Sequence, residues 1–217
     1  MKLVFQLLLW IVIIVLGYLV FNSVYEPIQF DKVKEKRYAK VIENLNDIRA
    51  AEMAHRQVTG RFEGNFDNLV RFLDTAQFTL TQRRDTVYLD EEYLETYGVD
   101  QYVEDVVIDT LGFVSVKDSL YKGDEQRYRE MINVPIDGVD AQFELDAGTV
   151  TKGTNQIPVF EAKVSKDVVL HDLNKDLVMQ EKEVMSVDDI NGPYISVGSM
   201  EEVNTSGNWP LKYGKNE

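Results

Sequence analysis

The stretch AEMAHRQVTGRFEGNFDNLVRFLD, residues 51–74, decides how this chain is read. Helix-compatible residues run up to Thr59, and Gly60 then supplies a stop of the kind that ends helices. Asn65 follows as an N-cap for FDNLVRFLD, with Asp67 in its first turn. Phe66, Leu69, Val70 and Leu73 fall on one side of that second helix. Between the two helices stands Phe62, an aromatic placed to plug a core beneath the turn.

Working toward the N-terminus, Tyr38, Ile42, Leu45, Ile48, Ala51 or Glu52, His55 and Val58 recur at three- and four-residue steps. They predict an amphipathic helix over 32–60. A stripe that long needs a packing partner, either the rest of the chain or other copies. Further upstream, residues 3–21 read LVFQLLLWIVIIVLGYLVF, apolar apart from Gln6. At about 1.5 Å per residue, roughly 19 residues of helix span about 29 Å, close to a hydrocarbon core. The exit FNSVYE lacks a small-x-small cleavage pattern, so residues 1–25 are predicted to be an uncleaved transmembrane anchor. Tyr18 and Tyr25 lie where an interfacial belt is expected. Gln6 either reaches the interface or bonds a partner helix. Proline disfavours helix in the residue before it, so Glu26-Pro27 predicts a break over 26–31, with Asp31 capping the next helix.

Working toward the C-terminus, residues 61–198 are expected to form an α+β head built on a small, mostly antiparallel sheet. QFTLTQR and DTVYL alternate around Arg83-Arg84-Asp85 as a strand pair, and residues 90–105 suit either helix or loop. VVIDTLGFVSV reads as strand, turn at Gly112, strand. AQFELDAGTVTKGTNQIPVFEAKVS reads as a hairpin, and residues 167–183 are expected to extend its sheet. Residues 199–217 are polar and expected to be irregular.

Composition narrows the function. The 217 residues are 44% hydrophobic, enough for a core, and carry a net charge of −14. Nucleic-acid backbone binding needs clustered Lys and Arg, so no nucleic-acid partner is expected. There are no cysteines and only His55 and His171, which leaves thiolate metal sites and His-based triads poorly supplied. GxSxG, P-loop, GxGxxG and HExxH motifs are absent. Ser115, Ser165 and Ser186 have no assigned base. One spacing resembles a calcium loop: Asp172, Asn174, Asp176, Gln180 and Glu183 match oxygen-ligand positions, but Leu177 stands where the turn needs Gly. These are metal candidates set against an ordinary charged segment.

Ala51, His55, Gly60, Arg61, Phe62, Leu69 and Phe72, behind an apolar N-terminal helix and an amphipathic one, resemble type IV pilins. The pattern is closer to the pseudopilins of type II secretion. The resemblance covers residues 1–74 and, in outline, the sheet that follows. The chain lacks that family's prepilin peptidase site and its early membrane glutamate, Gln6 being the nearest polar residue. The chain also resembles single-span bacterial envelope proteins with a GRF-like turn and a C-terminal Gly-Asn-Trp.

The resemblance implies an unprocessed, pilin-like structural or interaction protein of the cell envelope; with those catalytic motifs absent, neither enzymatic activity nor a cofactor is expected. Its expected partners are the membrane and either other copies or other envelope proteins. Its expected place is the inner membrane, single-pass, with the head extracytoplasmic; a ligand-binding module on the same anchor is the alternative. The residues expected to carry packing and assembly are Ile42, Leu45, Ile48, Gly60, Phe62 and Phe66.

Overall fold

The computed structural model describes residues 2–214; Met1 and the last three residues of the expected tail lie outside it. One helix, α1 (Lys2–Thr59), carries the whole N-terminal quarter of the chain. At about 1.5 Å per residue its 58 residues reach roughly 87 Å. The expected break at 26–31 does not occur: Pro27 sits inside the helix, and Asp31, expected as a cap, lies a turn further on. Proline removes one backbone hydrogen bond at a cost of about 3 kcal/mol. Helix on both sides outweighs that cost: the apolar run before it, and a buried face that starts at Phe30 after it. Asp31 instead pairs with Lys34 one turn on, at 2.9 Å.

The two halves of α1 differ in surroundings. Every described side chain from Leu3 to Glu26 is exposed. From Phe30 onward, Tyr38, Val41, Ile42, Leu45, Ile48, Ala51 and Ala54 are buried against the head. The head itself therefore covers the expected stripe. Only its last member departs, since Val58 is 46% exposed.

Gly60 takes φ +82° after the helix, and its N–H donates to the Arg56 carbonyl at 2.8 Å. The His55 ring donates from Nδ1 to the Arg61 carbonyl at 2.7 Å, and Thr59 Oγ1 donates to that same oxygen at 3.0 Å. The helix end is thus tied off by side chains as well as by glycine. Helix α2 (Phe66–Thr75) starts on Asn65, whose side chain accepts from the Asn68 N–H. Leu69 and Leu73 are fully buried, Phe66 and Val70 partly so.

Two separate antiparallel sheets follow. Among the described residues, strands β1 (Gln77–Leu89) and β2 (Tyr102–Ser115) pair only with each other, and α3 (Glu91–Tyr97) closes their far end. Short helices α4 (Val116–Tyr121) and α5 (Glu125–Glu130) lead back to the head. The second sheet holds β3 (Glu144–Lys152), β4 (Asn155–Ser165) and β5 (Tyr194–Gly198) in the order β3-β4-β5. The hairpin expected in residues 141–165 is β3–β4. Residues 167–183 do not extend it; they hold α6 (Lys166–Val169) and α7 (Lys175–Lys182), and the third strand comes later. The tail is mostly irregular but docked: Val197 bridges Gly207, and Trp209 is 1% exposed.

Candidate interaction site

Residues 77–115 form an arm. Its 13-residue first strand, at about 3.4 Å per residue, is roughly 44 Å long. The expected break at Arg83-Arg84-Asp85 is absent, because Gln77 through Leu89 pair continuously with Ser115 through Tyr102. Gly112, expected as a turn, stands opposite Leu80 beside a bulge that leaves Leu111 unpaired. The tip is well formed: Asp90 accepts from the Tyr93 N–H at 3.0 Å, and Gly98 ends α3 at φ +68°. The neck is closed where the Val116 N–H donates to the Ala76 carbonyl at 3.1 Å.

No residue of the arm is buried. Strand residues alternate between faces. One face carries the pairs Thr79–Phe113, Arg83–Ile108, Val87–Glu104 and Leu89–Tyr102. The other carries Phe78–Val114, Arg84–Val107 and Tyr88–Val103. Phe113 and Ile108 are each 65% exposed, and Leu111, Tyr102 and Val87 are also open. An isolated two-stranded ribbon is marginal in water, and contiguous open apolar surface marks an interaction site.

The other end of the head holds α1 through buried charge. Lys34 Nζ donates to Glu181 Oε2 at 3.0 Å, and the Tyr38 hydroxyl donates to Glu181 Oε1 at 3.2 Å. Lys166, fully buried, donates to the Ile190 carbonyl at 2.6 Å and to Glu181 Oε1 at 3.1 Å. Burial disfavours the Lys34 ammonium, but Asp31 and Glu181 outweigh it and raise its pKa. Lys166 is more deeply enclosed, so desolvation wins there and lowers the pKa against the pull of Glu181. On the same side, Arg37 grips Asp172 with both nitrogens, one contact being 2.8 Å, which holds that carboxyl down at about 2. Asn174 Nδ2 reaches Glu26 at 2.7 Å, next to Pro27.

These contacts assign the acidic segment that resembled a cation loop. Asp172 is bound to Arg37, and Asn174 Oδ1 accepts from the Asp176 N–H at 2.8 Å as the N-cap of α7. The chain then winds as helix to Lys182, with Glu183 as its C-cap, instead of wrapping a central point. Among the described residues, no group of three or more His, Asp or Glu side chains is placed to hold a metal.

Of the residues expected to carry packing and assembly, Gly60 is exposed at the end of α1 and Phe66 is partly buried on α2. Ile42, Leu45 and Ile48 lie under the head, and Phe62 packs on Phe160 of β4 with ring centroids 4.7 Å apart. Ile42, Leu45, Ile48 and Phe62 are covered within the chain, whereas the arm and the apolar half of α1 each present open apolar surface. No family model, curated protein or solved structure matches this chain. The local alternation marks strands here, but Arg83-Arg84-Asp85 and Gly112 look like turns, and the signal for one continuous ribbon is two long runs without proline or lysine.

Proposed function

We propose that this chain is a non-enzymatic, single-pass protein of the bacterial cell envelope. It would be a pilin-like subunit that joins the membrane to an assembly of its own copies or other envelope proteins. The observation that carries the reading is the two-part helix α1. Its first half is apolar, exposed and long enough to cross a membrane. Its second half is the spine of the head, without a hinge at Pro27. A rigid rod of this kind passes orientation and force from bilayer to head, which a flexible tether would not. The continuous helix also supports the pilin-like architecture. On this reading the span lies in the inner membrane and the head is extracytoplasmic, since a long domain after one N-terminal span can translocate regardless of charge.

The test uses the absence of cysteine. A single Cys replaces Ile13 in the span, and in a second variant Ile108 in the arm; both positions are exposed. Oxidative cross-linking in native membranes should give discrete products at Ile13→Cys, and the chain should resist alkaline extraction. A chain extracted by alkali would end the anchor reading. Monomer at both positions would favour the anchored binding module instead.

A further inference from the structure

We infer that the arm of residues 77–115 is a strand-pairing dock for a basic, extended segment of a different protein. The inference rests on the assembly reading for there being a partner, and on the arm alone for what that partner is.

Three observations carry it. The first is the open backbone. A two-stranded sheet has two outer edges, each with unpaired N–H and C=O groups. Proteins usually blunt such edges with lysine, proline, bulges or a covering element; residues 77–115 contain neither lysine nor proline, and past the bulge at Leu111 the ladder runs unbroken from Thr81–Thr110 to Leu89–Tyr102. Strands of 13 and 14 residues are also far longer than edges left open by chance. The second is apolar surface. Phe113, Ile108, Val87 and Tyr102 share one face of the ribbon, and with Leu111 at the bulge they are all more than half exposed, so an added strand would extend that apolar face.

The third observation chooses the occupant. Residues 77–115 carry nine acids against two arginines, a net of −7, half the charge of the whole chain. Both arginines already face acids, Arg83 at 3.5 Å from Asp85 and Arg84 at 3.4 Å from Asp109. From Asp90 to Asp105 there are seven acids and no base. A second copy of the arm would bring like charge against like, and so would an anionic membrane surface. A segment alternating Lys or Arg with β-branched residues supplies both the missing strand and the missing charge.

The experiment uses the full chain in neutral detergent. The probe is a short fluorescent peptide alternating lysine with valine, with ¹³C carbonyls. Controls are a lysine–proline peptide, equal in charge but unable to pair, and a glutamate–valine peptide. The lysine–valine peptide should bind and show the amide I band of an intermolecular strand. It should protect amides of residues 77–115 from exchange and outbind both controls. Combined Glu91→Gln, Glu92→Gln, Glu95→Gln and Glu104→Gln exchanges surface charge only, and should weaken binding about tenfold or more while reducing its salt dependence.

Equal binding of the lysine–proline peptide would overturn the inference, since charge alone would explain it. So would binding unchanged in the four-site variant. Homodimers through Ile108→Cys without peptide binding would assign the arm to a second copy, and protection of the arm by anionic vesicles alone would assign it to lipid. Either result overturns the inference. Cross-links at Ile13→Cys are read separately, so the anchor reading survives or fails by itself.

Discussion

Lys34 on α1 and Glu181 on α7 lie 147 residues apart in sequence and meet at 3.0 Å inside the head. Both are buried, and Lys166 and Tyr38 converge on the same carboxylate. A shared buried counter-ion is strongly asymmetric in energy: the intact set adds little over apolar packing, but removing its centre strands the other charges. Glu181→Leu is expected to destabilise the head by about 3–5 kcal/mol. Lys34→Met should cost less, because Lys166 still neutralises Glu181. Urea unfolding of both variants checks the order, and a milder loss in Glu181→Leu than in Lys34→Met would contradict it.

The arm gives the opposite expectation. Phe78 packs against the core at the neck, but no residue from 77 to 115 is buried and the neck closes between Ala76 and Val116, so the head does not depend on the arm beyond Phe78. Replacing residues 79–113 by a short glycine-containing loop, which keeps Phe78, should leave the unfolding midpoint of the head nearly unchanged. It should also abolish the strand-pairing activity. A large drop in midpoint would mean that the arm packs on the head more than its exposure implies.

How far the sequence reached follows from what each signal assumes. The stop at Gly60, the cap at Asn65 and the 141–165 hairpin are local, set by backbone chemistry within a few residues, and all three were legible. Proline at 27 was also read locally, as a break, yet the helix runs through it because long-range burial from Phe30 onward outweighs one lost hydrogen bond. Alternation reading assumes that a strand hides one face. The arm hides neither, so Arg83-Arg84-Asp85 looks like an interruption although the ladder runs straight through it. Lys34, Lys166 and Glu181 look like surface residues in any window, and only the fold brings them together. Of the candidate interaction site, the apolar half of α1 was visible beforehand and the arm was not.

Gly207 offers a test of the docked tail. A Cβ there would lie 2.4 Å from three ring atoms of Trp209, which is itself almost fully buried. The ring must move, and its pocket is part of the core. Gly207→Ala should therefore destabilise by about 1–3 kcal/mol, the range for overpacking. It should also shift tryptophan emission to longer wavelength as water reaches the indole. Unchanged emission and stability would show that the Trp209 ring is not held against Gly207.

Glu52 supplies a pH dependence whose sign is fixed by its surroundings. Its side chain is fully buried on α1, Oε2 accepts the Glu63 N–H at 2.9 Å, and Oε1 has no hydrogen-bond partner. Burial pushes its pKa up to about 8, the backbone hydrogen bond from Glu63 opposes the rise, and the Glu63 charge adds to it. In the unfolded chain the group titrates near the ordinary value of about 4.3. A folded pKa above the unfolded one means that its contribution is fully present below about 4.3 and is lost as pH rises toward about 8. Each unit is worth about 1.4 kcal/mol, so the loss amounts to a few kcal/mol. Other groups titrate over the same interval, and the comparison that isolates Glu52 is with Glu52→Gln. Between about pH 5 and about pH 8, the native chain should lose more stability in urea than Glu52→Gln does. Parallel losses in the two proteins would place the Glu52 carboxylate in water, and its burial against the Phe62 turn would have to be withdrawn.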